Sequence, residues 1–145
     1  MTQSYEDLLT ILEKEFSLCT RLMELLQKEK DVVASLDPDA LEFLLREKEV
    51  ITTSIKVCDE SRERILEDLG FRSMTIYEVS KRAETVYQEP LASLAARFTS
   101  LICSITELNR FNSILIEKSL YYIKTSYNFL STFEVSAPQK ISVEA

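Results

Sequence analysis

A seven-residue rhythm of apolar side chains runs through most of this chain and leaves it little to be but a set of long helices. Tyr5, Leu9, Leu12, Phe16, Cys19, Met23, Leu26, Lys30 and Val33 alternate steps of four and three without a slip. That spacing keeps one seam of an α-helix turned toward a neighbour. Lys30 is the single polar intrusion, and Leu8, Ile11, Leu18, Leu22 and Leu25 add a second stripe that widens the apolar face. Leu41, Leu44, Lys48, Ile51, Ile55, Cys58, Arg62, Ile65 and Leu69 repeat the pattern. So does a third run: Leu91, Leu94, Phe98, Leu101, Ile105, Leu108, Asn112, Leu115, Ser119, Tyr122, Ser126, Phe129 and Phe133.

Between the seams the punctuation is sparse. The 145 residues hold one Gly and three Pro, too few for the hairpins and phosphate-cradling loops that depend on Gly. Ser4 is placed to cap a first helix over 4–35. Asp37 and Pro38 suit the N-cap and first position of a second over 38–69, and Gly70 follows where a left-handed C-cap residue belongs. The two should form an antiparallel hairpin. Thr75 and Glu78 make a capping box for a short helix over 75–87, with Met74 and Val79 as its staple. Pro90 then opens the longest helix, 90–133. The tail, 134–145, reads as weakly ordered. The expected fold is all-α: an antiparallel bundle of three long helices and one short one, in a chain of single-domain length.

Composition excludes most chemistry. There is no His, which removes the usual metal ligand and the usual acid–base group near neutral pH. Cys19, Cys58 and Cys103 are far apart and odd in number, as in a reducing compartment. Carboxylate pairs such as Glu47/Glu49 and Asp59/Glu60 fall off the seams among Lys and Arg, as on a solvated face. No catalytic residue, metal or cofactor is expected. The net charge of −7 makes nucleic acid a poor partner. The N-terminus lacks the basic start and apolar run of a signal peptide. The most apolar stretch, Leu91 to Ile105, is too short to span a bilayer and carries Arg97. A cytoplasmic protein without membrane insertion is expected.

Charge is unevenly spread. Residues 1–70 hold 17 acids and 9 bases, whereas residues 90–133 hold only Glu107, Glu117, Arg97, Arg110, Lys118 and Lys124. In that second region Ile116, Leu120, Ile123, Tyr127 and Leu130 form a stripe one position past the seam, about 100° around the helix. Phe111, Tyr121, Tyr122, Tyr127, Phe129 and Phe133 crowd into it. A low-charge aromatic face at a chain end suits docking, although a central helix of a bundle would look similar. Asn109 and Asn112, three residues apart in mid-helix, fit either a buried polar pair that fixes register or a hydrogen-bonding patch for a partner. Lys30, Lys48 and Arg62 on the seams fit snorkelling at the bundle edge or register specification.

The run Leu108-Asn109-Arg110-Phe111-Asn112-Ser113-Ile114-Leu115-Ile116, followed by Ser119-Leu120-Tyr121-Tyr122, resembles the FlgN-like family of flagellar export chaperones. A charged hairpin ending in Leu66-Glu67-Asp68-Leu69-Gly70 agrees with it. The resemblance implies a chaperone that binds hook-associated proteins one and three in the cytoplasm, covers their terminal helices, and delivers them to the flagellar type III export gate. It places the partner surface on Asn109, Asn112, Leu115, Ile116, Ser119, Leu120, Tyr121, Tyr122, Ile123, Tyr127, Phe129, Leu130 and Phe133. The alternative is a coiled-coil structural or adaptor protein that self-associates through the same face.

Overall fold

The computed structural model describes residues 2–133; the tail expectation lies outside them. Four helices follow in order: α1 Thr2–Ser35, α2 Pro38–Asp68, α3 Ile76–Arg82 and α4 Thr85–Phe133. Among the described residues there is no strand, and the all-α bundle holds.

The turns form as local chemistry requires. Asp37 accepts hydrogen bonds from the amides of Asp39 (3.1 Å) and Ala40 (3.3 Å), with Pro38 at the first position of α2. At the other end of α2, Gly70 takes φ +80°. Its amide donates to the Glu67 carbonyl and that of Phe71 to the Leu66 carbonyl, the paired bonds that close a helix through a left-handed residue. Thr75 caps α3 by accepting from the Glu78 amide at 3.2 Å.

Two boundaries differ from expectation. Ser4 lies inside α1, which begins at Thr2. The break after α3 falls at Ala83, not between Val86 and Pro90, so Pro90 sits inside α4. Tertiary packing sets this corner. Ala83 is buried and its carbonyl accepts from Gln88 Nε2 at 2.9 Å, while Tyr87 stacks on Tyr5 at 4.7 Å between ring centroids. Pro90, so near the start of α4, forfeits a single backbone bond there.

The helix at the centre is α1. It packs against α2 on one side and α4 on the other, and α2 and α4 make no close backbone approach. The reading of the last helix as a central one therefore fails. The α1 seam splits accordingly. Leu8, Glu15 and Glu29 are buried with Tyr5, Leu12, Cys19, Leu26 and Val33, while Phe16 meets Phe98 of α4 edge-on at 5.4 Å. The tightest core gathers Tyr5, Leu8 and Leu12 with Leu66, Leu69, Val79, Ala83, Leu91 and Leu94. All four helices contribute to it at one end of the molecule.

Two polar contacts fix the register of α1 on α2. Arg62 donates to both Glu15 oxygens at 2.9–3.0 Å and lies 3.2 Å from Asp59. Lys48 donates to Glu29 at 3.1 Å. Lys48 and Arg62 thus act as register residues, whereas Lys30 is exposed. Burial pushes the Glu15 carboxyl up to about 8, with Asp59 adding to the rise and Arg62 opposing it. Burial also pushes the Cys19 thiol up to about 11. Cys58 is buried as well, but Cys103 is exposed.

As a continuous helix, α4 contains an 18-residue window of mean hydropathy 1.3, long and apolar enough by length and composition to cross a membrane. The expectation of no such stretch stopped at Ile105 and missed the low-charge residues beyond. The mostly buried core helix of a soluble protein meets the same criterion; here 22 % of that window is buried, and the α4 seam is buried or half-buried as far as Ser119.

Candidate partner-binding surface

Because α4 runs parallel to α1 and is much longer, it outruns it. Asn112 fixes the alignment: it is 1 % exposed, and its Nδ2 donates to the Leu26 carbonyl at 2.8 Å. Carrying that register forward puts Ser35, the last residue of α1, level with Tyr121. Past that point α4 continues for roughly a dozen residues, or about 18 Å, with no α1 beside it.

The exposure of α4 follows from this geometry. Leu91 and Leu94 are buried, as are Leu101 and Asn112. Leu115, Ile116 and Ser119 are half-buried. Tyr121 and Tyr122 are 73 % and 70 % exposed, Phe129 62 % and Leu130 64 %. Leu120, Ile123 and Tyr127 are exposed to a smaller degree, and Phe133 ends the helix. The seam residue Tyr122 has thus lost the neighbour its register calls for. A large apolar patch left on the surface marks a binding site more often than an accident of folding.

The structure separates the two asparagines. Asn109 is exposed and available to a partner. Asn112 is spent on Leu26, with its Oδ1 buried and unpaired, so it belongs to the internal register of α1 on α4 and leaves the partner surface. Phe111 and Ile114, exposed at 54 % and 46 %, extend the apolar surface back along α4. The aromatic crowding that includes Phe111 already signalled this; Ile114 lies off both stripes and could not be picked out by periodicity.

The surface is formed by phenol and phenyl rings, alkyl groups, one hydroxyl and one amide, and among the described residues no group of His, Cys, Asp or Glu could hold a metal ion. A face of this kind recognises another apolar face, most simply the stripe of an amphipathic helix.

A sequence model of the FlgN protein family matches residues 1–135. The chain belongs to the FlgN family. No curated protein and no solved structure gives a match. FlgN proteins are flagellar export chaperones rather than enzymes, and they bind hook-associated proteins. Within this FlgN chain the matched region takes in the whole described bundle and the overhanging end of α4.

Proposed function

We propose that the overhanging end of α4, from Leu115 to Phe133 together with Asn109, takes up the terminal helices of hook-associated proteins one and three in the cytoplasm, and that the chaperone then presents them to the flagellar type III export gate. The observation that carries this reading is the exposure of Tyr121, Tyr122 and Leu130 on a helix whose neighbour has ended. A client helix laid along the stripe Ile116, Leu120, Ile123, Tyr127 and Leu130 would supply the missing neighbour and cover its own apolar face. Binding would be governed by mass action.

A chain ending at Ser119 keeps every residue of α4 that is buried. It should therefore retain its helical bundle, lose binding to both hook-associated proteins, and fail to support their secretion. Undiminished client affinity in that shortened chain would remove the site from α4. Client binding lost together with the bundle would show that the segment is structural.

A further inference from the structure

Two buried cysteines face each other across the α1–α2 hairpin, away from the client surface. Two contacts set the register there. Arg62 of α2 meets Glu15 of α1, and Lys48 meets Glu29. Four residues on from Glu15 along α1 and four back from Arg62 along α2 stand Cys19 and Cys58. Ten back from Glu29 and ten on from Lys48 stand the same two. The buried pairs Leu8 with Leu69, Leu26 with Ile51 and Val33 with Leu44 keep this register, so the two cysteines share one layer. They are 8 % and 2 % exposed. Burial leads the rise of the Cys19 thiol to about 11, and the charges of Glu15, Asp59 and Cys58 add to it while Arg62 opposes them. Cys58 is thus within electrostatic reach of Cys19.

The apolar layers of the hairpin pair Leu with Ile, Val or Leu, whereas this layer pairs two small side chains, which lets the helices approach closely. Helices about 8–10 Å apart, with Cα atoms about 2.3 Å from each axis, bring opposed Cα atoms to roughly 4–6 Å. A disulfide spans about 4.4–6.8 Å between Cα atoms. A lone buried cysteine acts as a small apolar side chain; two in one layer add a chemistry of their own. We infer that Cys19 and Cys58 form a reversible disulfide that staples α1 to α2 when a low-molecular-weight disulfide accumulates around the protein. The thiolate of one cysteine attacks a sulfur of the external disulfide, releasing one thiolate and leaving a mixed disulfide on the protein. The other cysteine gives up its proton, attacks the protein sulfur of that bond and expels the second half as thiolate. Two protein thiols are oxidised, one external disulfide is reduced to two thiols, and the two protons end on these. In a reducing compartment the pair stays open. Closure joins the two arms of the hairpin around its turn and removes freedom from the unfolded chain. It secures α1, on which α4 is seated, and leaves the exposed end of α4 untouched.

The full chain carrying Cys103→Ser tests this, since that change removes the exposed thiol and leaves the buried pair. Incubated in its folded state with millimolar oxidised glutathione, it should lose about 2 Da by intact mass spectrometry, the two thiol hydrogens. Thiols titrated after denaturation should fall from two to none, and a non-reducing digest should yield a peptide joining Cys19 to Cys58. The melting temperature should rise by about 10 °C and return when dithiothreitol is added. Adding Cys58→Ala should abolish both the mass loss and the rise. Two free thiols after prolonged oxidation of the folded chain overturn the inference, as do glutathione adducts that persist on both cysteines. A bond that forms only in denaturant, or one that leaves the melting temperature unchanged, overturns it equally.

Discussion

The two ends of α4 are built from similar residues and live in different surroundings. At the start, Leu91 and Leu94 are 0 % and 3 % exposed among side chains from all four helices. At the end, Tyr122 and Phe129 stand at 70 % and 62 % on the same seam of the same helix. What separates them is the length of α1. Where α1 lies alongside, the seam of α4 holds the fold together; where α1 has ended, the same seam is left exposed. Heptad periodicity therefore says that a helix has an apolar face, and only the neighbours say whether that face stabilises or binds.

That contrast can be broken by substitution, beginning where the cost should be greatest. Leu91→Ala empties a fully enclosed site and should cost about 3 kcal/mol of unfolding free energy, read by chemical denaturation. A loss below about 1 kcal/mol would mean that this end is no better packed than the other.

Arg62→Met leaves the buried Glu15 carboxylate without its cation and should cost about 3 kcal/mol at pH 9. The loss should shrink at pH 5, where Glu15 carries a proton. The sign follows from its raised folded-state pKa of about 8. The stabilising contribution of Glu15 is fully present below its unfolded value near 4.5 and is lost as pH rises through about 8. Melting temperatures of the wild type should accordingly fall from pH 5 to pH 9, and Glu15→Gln should flatten that fall.

Asn112→Ala removes the 2.8 Å bond to Leu26 and should cost about 1 kcal/mol, a small effect at the boundary between the packed and exposed parts of α4. Leu130→Ser, well past it, should change stability by less than about 0.5 kcal/mol. A large loss there would place that end inside the folded core.

Much of the fold was legible in the sequence because local chemistry decided it. The Asp37-Pro38 cap, the Gly70 stop and the seam from Leu41 to Leu69 depend on residues close in the chain. Other features needed the third dimension. Glu15 and Glu29 look like ordinary surface acids until Arg62 and Lys48 arrive from α2. The corner at Ala83 depends on Tyr87 stacking against Tyr5, which carries more weight than the local preference of Pro90 to start a helix. Of the proposed partner surface, the aromatic crowding and the missing charge are what pointed to α4 in the sequence. Periodicity could not assign Asn112 to the interior and Asn109 to the exterior, because that division depends on where α1 lies alongside α4.

The account's central claim is that the end of α4 binds while the rest of the seam folds. Isothermal titration of a hook-associated protein into the full chain tests it most directly, comparing the wild type with the variant Tyr121→Ser, Tyr122→Ser, Leu130→Ser. Exposed aromatic and aliphatic anchors of an interface are each worth more than about 1 kcal/mol, so client affinity should fall by at least about a hundredfold while the melting temperature stays within a few degrees of the wild type. Client affinity unchanged in that variant would contradict the claim.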